Sequence, residues 1–162
     1  MDKFSESLST GIHARLQSLA GNYMGTSRVW FGPDNLVDES PVEGNLEPVL
    51  DGRFLLHRYK GNFQGKPLEG IQLIGYDLHT DCFQVAWVDS FHMSTGILFS
   101  TGAKGAGTTQ ALGSYSTGGE QPQFWGWETV FEKKGSDLVI TAYNISPEGE
   151  RDKATEVVYS LK

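Results

Sequence analysis

The sequence predicts an all-β fold, a single antiparallel up-and-down barrel of about ten strands with one N-terminal helix, and three observations support it. The 162 residues include 20 glycines with 9 Phe, 6 Tyr and 4 Trp, a mixture suited to short strands joined by tight turns. Apolar residues recur at helical steps only near the start. From Gly21 onward, segments of strand character follow at intervals of about ten residues, the spacing of an antiparallel meander rather than of βαβ units. Such strands in an open sheet would leave exposed edges, which closure into a barrel removes.

Phe4, Leu8, Ile12, Leu16 and Leu19 share one helix face. A single helix over 8–19 is therefore expected, packing Leu8, Ile12, Leu16 and Leu19 on the barrel. Ser5, Ser7, Ser9 and Thr10 offer cap oxygens, and Gly21 stands where a helix stops. Residues 1–20 form the helical segment and 21–162 the barrel of one domain, long enough to bury about two-thirds of the unfolded chain's surface without a metal or disulfide. Strands are expected at 22–31, 36–50 with a break, 52–60, 67–76, 82–89, 96–102, 108–115, 123–133, 137–145 and 154–161. Turn chemistry separates them at Gly61 and Gly65, Asp77 to Asp81, Gly135-Ser136-Asp137 and Pro147-Glu148-Gly149.

Two stretches depart from this regularity. Asp34, Asp38, Glu39, Glu43, Glu47 and Asp51 occur with no basic residue among them. Extended-chain spacing sets acids four apart at about 13 Å, too far for a calcium loop, so a solvated edge blunted by Pro41 and Pro48 is expected. Gly96 to Gly119 contains seven glycines. No helix or Lys-Ser/Thr pair follows Gly102, Gly105 and Gly107, so a phosphate cradle fails its context, and pliable strands with a rim over a barrel mouth are expected instead.

Composition narrows the function. Thirteen basic against 20 acidic residues give a net charge of −7, which repels phosphate backbones and makes nucleic acid an unsuitable partner. The apolar runs fall far short of the roughly 20 residues that span a bilayer. The opening residues carry no charged-then-apolar leader, so a cytoplasmic protein is expected. Self-association is compatible with the sequence. The lone Cys82 follows Asp81, whose charge disfavours a thiolate. His13, His57, His79 and His92 show neither His-x-His nor His-Glu-x-x-His spacing, and no Gly-x-Ser-x-Gly elbow is present. No metal and no haem, flavin or zinc cofactor is therefore expected, and no catalytic residue stands out.

The run Leu16 to Gly25 resembles the helix-then-glycine-aromatic opening of calycin barrels, the group that includes lipocalins and fatty-acid-binding proteins. Gly52-Arg53-Phe54-Leu55, Gly70 to Gly75-Tyr76-Asp77, and Trp87-Val88-Asp89-Ser90 followed by Gly96-Ile97 occur in the order seen in the mainly bacterial, calycin-like domain of unknown function family 1579. The resemblance implies a lipocalin-like barrel and no activity. Two residues depart from the calycin pattern. Tyr23 stands where the opening usually has Trp, and the end Val158 to Lys162 lacks the Arg that often stacks on that Trp.

Candidate lumen residues follow from alternation. Arg53, Leu55, His57 and Tyr59 share one strand face, Phe83, Val85, Trp87 and Asp89 another, and Trp125, Trp127, Thr129 and Phe131 a third. A buried Arg53 requires a partner, and Asp89 is the natural candidate. Arg53, His57, Trp87, Asp89, Trp127 and Tyr143 are thus the candidate ligand-binding residues, for a small, largely apolar molecule with a polar end. An enzyme acting on a small molecule in the cavity, or a filled-core structural or interaction protein, are the alternatives.

Overall fold

The computed structural model describes residues 1–105, 107 and 109–162. Helices α1 (Lys3–Thr10) and α2 (Ile12–Gln17) precede ten strands, β1 (Gly21–Trp30), β2 (Leu36–Val49), β3 (Phe54–Phe63), β4 (Lys66–Asp77) and β5 (Cys82–Asp89), then β6 (Leu98–Thr101), β7 (Gln110–Ser116), β8 (Phe124–Lys134), β9 (Asp137–Ile145) and β10 (Arg151–Leu161). Each strand pairs antiparallel with its sequence neighbours, and β1 also pairs with β10, Tyr23 opposite Leu161, to close the barrel. The predicted all-β, up-and-down, ten-strand barrel is thereby observed.

Alternation sets the inside of this barrel. In β5, Phe83, Val85, Trp87 and Asp89 are buried while the residues between them are only partly covered. Close approach is a further requirement: a Cβ at Gly25 would run into the Val158 carbonyl of β10, so β1 meets β10 through a residue without a side chain.

The expected single helix over 8–19 is instead two helices broken at Gly11, whose φ of −101° and ψ of −151° are extended. The break has a local cause. Asp2 caps α1 through the Ser5 amide at 3.0 Å, and Ser7 Oγ lies 2.8 Å from His13 Nδ1 and accepts from the His13 amide at 3.3 Å, bonds that bend the chain and bury Ser7 and His13. Leu16 and Leu19 still enter the core, whereas Leu8 and Ile12 are half-buried. The Tyr23 hydroxyl donates to the Leu19 carbonyl at 2.8 Å, and its ring lies 5.3 Å from that of Tyr159. This tyrosine pair occupies the base of the barrel where the calycin pattern has Trp and Arg.

The acidic stretch is not an edge. Strand β2 is paired with β1 and with β3, because closure gives every strand two neighbours, and Pro41 and Pro48 stand within it. The glycine-rich stretch does contain β6 and β7, and Gly102 and Gly105 after β6 lie at the base, where Gly102 N–H donates to the Phe83 carbonyl at 2.7 Å and Gly105 N–H to the Asp81 carbonyl at 2.9 Å. Ala106 and Thr108, which belong to that expected rim, lie outside the described residues. Gly118 and Gly119 of that stretch follow the mouth end of β7, and Gly96 belongs to the loop that stands at the mouth, residues 90–97 between β5 and β6. Its Phe91 stacks on Phe63 at the end of β3, with ring centroids 4.3 Å apart, and Phe63 meets Phe31 at 5.8 Å.

Candidate functional site

The buried apolar residues form two clusters. Around the base, Leu16, Leu19, Tyr23, Leu46, Leu55, Ile74, Phe83, Phe131, Leu138 and Tyr159 pack with smaller neighbours. Toward the mouth, Trp87, Leu98, Trp127, Ala142 and Ala154 pack with Met93 and Tyr115. A cavity of about 70 Å³ lies inside, lined by apolar Val29, Leu68, Trp87, Trp127, Ile140, Ala142 and Val157 and by polar Ser27, His57, Tyr59, Gln72, Asp89, His92, Thr129 and Thr155.

His57 lies deep in this lumen. Gln72 Oε1 accepts from Nδ1 at 2.8 Å, and Nε2 accepts from the Tyr159 hydroxyl at 2.9 Å. Burial pushes its pKa down to about 4, the Gln72 bond opposing only in part, so the ring is neutral at ordinary pH. Strand β2 leaves room for it: a Cβ at Gly44 would run into the Tyr159 hydroxyl and crowd His57. Next outward, Trp87 Nε1 donates to the Tyr59 hydroxyl at 2.9 Å. Burial and then the charge of Asp89 raise the Tyr59 phenol well above its ordinary value. Trp87 and Trp127 stack with centroids 5.2 Å apart and planes inclined by 21°.

Asp89 ends β5 with a side chain of zero exposure. Its Oδ1 accepts from the amides of Phe91 at 3.1 Å, His92 at 2.6 Å and Met93 at 3.0 Å, and its Oδ2 accepts from His92 Nδ1 at 2.6 Å. Burial alone would raise this carboxyl, but the hydrogen bond and charge of His92, with the backbone donors, hold it below the usual carboxylate value. One carboxylate thereby fixes the turn that carries Phe91, His92 and Met93 across the mouth. The His92 ring packs 5.3 Å from Trp87 and 5.6 Å from Trp127.

Four of the six sequence-derived candidates, His57, Trp87, Asp89 and Trp127, thus line one cavity. Arg53 does not. It ends a turn in which Leu50, Asp51 and Gly52 have φ of 52°, 56° and 80°, so alternation starts only at Phe54. Its half-exposed side chain faces away from Asp89, 3.8 Å from Asp51 and 4.4 Å above the Phe4 ring. The expected Arg53–Asp89 pair is therefore replaced by His92–Asp89. Tyr143 also lies outside: Leu138, Ile140 and Ala142 take the inward positions of β9, and the Arg151 guanidinium covers the Tyr143 ring at 3.5 Å. Tyr59, Gln72 and His92, which are not among those six, also line the cavity. Tyr59 shares the His57 face, and Gln72 stands opposite His57 in the β3–β4 register, a pairing that follows from the turn at Gln64 and Gly65. His92, three residues after Asp89, is the residue an Asp-led turn brings back to its carboxylate.

Among the described residues no group of three or more His, Cys, Asp or Glu side chains could hold a metal ion, and no helix is long and apolar enough to cross a membrane. Comparison with known families gives one result: residues 9–160 match the family described as Protein of unknown function (DUF1579). The chain belongs to that family. No curated protein matches it. The DUF1579 match spans both the helical segment from residue 9 and the barrel, and the closed barrel is consistent with the calycin-like resemblance. In this DUF1579 chain the lumen toward the mouth is where titratable groups, aromatic walls and unfilled space meet.

Proposed function

We propose that this DUF1579 barrel binds a small, uncharged, largely apolar molecule with one polar end, held in the lumen against Trp87 and Trp127. The observation that carries the reading is the cavity lining, aromatic and aliphatic with hydroxyls from Ser27, Thr129 and Thr155 and, among the described residues, no Lys or Arg. With Arg53 outside, an acid head group would meet Asp89 and no cation, so a neutral head group is favoured.

Size adds a condition. The cavity holds about 70 Å³, less than half of the roughly 150 Å³ that accepts benzene in an engineered protein core. Occupancy by anything larger than a few atoms therefore requires the 90–97 turn to lift. Burial of about 250 Å² of apolar ligand contributes about 6 kcal/mol. Two hydrogen bonds add about 2 kcal/mol, and association costs about 4 kcal/mol or more, which leaves millimolar affinity.

Benzyl alcohol and 1-octanol, titrated while Trp emission is followed, are expected to change the spectrum of the parent and of Trp30→Phe, but not of a variant carrying both Trp87→Phe and Trp127→Phe. Benzoate and octanoate are expected to bind at least tenfold more weakly. Acids that bind as tightly as the alcohols, or alcohols without effect, would overturn the reading.

A further inference from the structure

We propose that the lumen is also a hydrolytic site, in which His92, oriented by Asp89, acts as general base on a water attacking a small uncharged ester. The proposal rests on the binding reading above and adds a reaction to it.

Three features of the geometry support it. Asp89 is fully buried and accepts four hydrogen bonds within one turn, so its position is over-determined. A carboxylate only accepts, so the bond at 2.6 Å puts a proton on His92 Nδ1, and in the neutral ring the lone pair then sits on Nε2. That nitrogen has no hydrogen-bond partner among the described residues, and His92 is both a wall of the cavity and 22% exposed through its side chain. A structural role for Asp89 needs only the three backbone amides; the imidazole contact is additional. The other titratable groups lining the cavity with His92 are Asp89, His57 and Tyr59. His57 is committed to Gln72 and Tyr159, and Tyr59 is engaged by Trp87. His92 is thus the group free to take up a proton.

In the reaction, a water oxygen adds to the ester carbonyl carbon as Nε2 takes its proton. Asp89 stabilises the imidazolium that forms. The tetrahedral intermediate expels the alkoxide, which recovers the proton from Nε2, so ester and water become acid and alcohol. Lumen hydroxyls supply the neutral donors that developing negative charge requires. The space of about 70 Å³ admits roughly two waters at about 30 Å³ each, enough for the nucleophile; the ester enters while the turn is lifted, and the Asp89–His92 bond re-forms before the reaction. The product ionises beside Asp89 with no cation in the lining, so the charge balance that admits an ester also drives out its acid.

The test is hydrolysis of p-nitrophenyl acetate and butyrate by the full chain. The parent is expected to exceed free imidazole at equal concentration. H92Q is expected to lower kcat/KM about 100-fold while still binding benzyl alcohol. H79Q, which removes an exposed imidazole, is expected to leave the rate unchanged. In D89N the amide oxygen still accepts from the backbone while its NH₂ faces Nδ1 and imposes the wrong tautomer, so kcat falls more than KM changes. The parent rate is expected to be slower in D₂O, which a structural role for His92 would not produce. Equal rates in H92Q and parent, or a parent no faster than imidazole, overturn the hydrolytic proposal. If benzyl alcohol still binds in that case, the binding reading stands; if nothing binds, both fall.

Discussion

The two ends of the barrel are built to different ends. At the base, aliphatic and aromatic side chains fill the lumen and the helices close it, and the polar atoms that enter are tied to the backbone, as Tyr23 is to Leu19. At the mouth, two tryptophans, three hydroxyl residues and a carboxylate–imidazole pair surround unfilled space, under a turn held by one side chain. His57 and Tyr159 stand at the boundary. Stability is concentrated where packing is complete, and adaptability where polar groups satisfy one another without filling the volume.

The contrast can be broken from the base. Leu55 is 1% exposed within the base cluster. Leu55→Ala is expected to cost about 3 kcal/mol or more in urea unfolding, with little change in alcohol binding by the protein that remains folded. A similar loss from a mouth residue such as Leu98→Ala, with its smaller cluster, would dissolve the distinction.

Acid tests the boundary. Burial holds His57 at about 4 against 6.5 for an ordinary imidazole. Between those values the unfolded chain takes up a proton that the folded chain refuses. The contribution is therefore fully present above pH 6.5 and lost as pH falls toward 4, about 3 kcal/mol in all. Denaturant melts across that window measure the slope, and His57→Gln is expected to flatten it.

At the mouth the effects are smaller and kinetic. D89N is expected to cost about 1–2 kcal/mol and to speed amide exchange at Phe91, His92 and Met93, while exchange in β9 is unaltered. Phe91→Ala removes the stack on Phe63. It is expected to cost about 0.5–1 kcal/mol and to raise the rate at which benzyl alcohol enters, read by stopped-flow fluorescence.

Alternation made much of this legible. In β5, the order Phe-Gln-Val-Ala-Trp-Val-Asp places Trp87 and Asp89 on the inward side, and the same period places Trp127 and His57. It fails where the chain is not a strand: the left-handed residues Leu50 and Asp51 delay β3 by two residues and turn Arg53 outward. It also fails at Tyr143, because Leu138 to Ala142 are all buried, Thr141 of the outer face included, so exposure does not alternate there. Helical period suffered likewise at Gly11, where Ser7 and His13 outcompete the ladder. The Asp89–His92 pair arises from a turn rather than a repeat, so alternation does not reveal it.

Of the ladders that close the barrel, the thinnest is β6 with β7, which among the described residues pair only as Ser100 with Gly113 and Thr101 with Leu112. Leu112 within it and Phe99 beside it are exposed. A barrel hides its edges only while every seam holds, so here a brief parting creates two free strand edges beside apolar side chains, a template for another chain. Shelf life at high concentration is then set by this seam, not by the melting temperature of the base, and a lysine at position 99 or 112 is expected to delay light scattering without moving Tm.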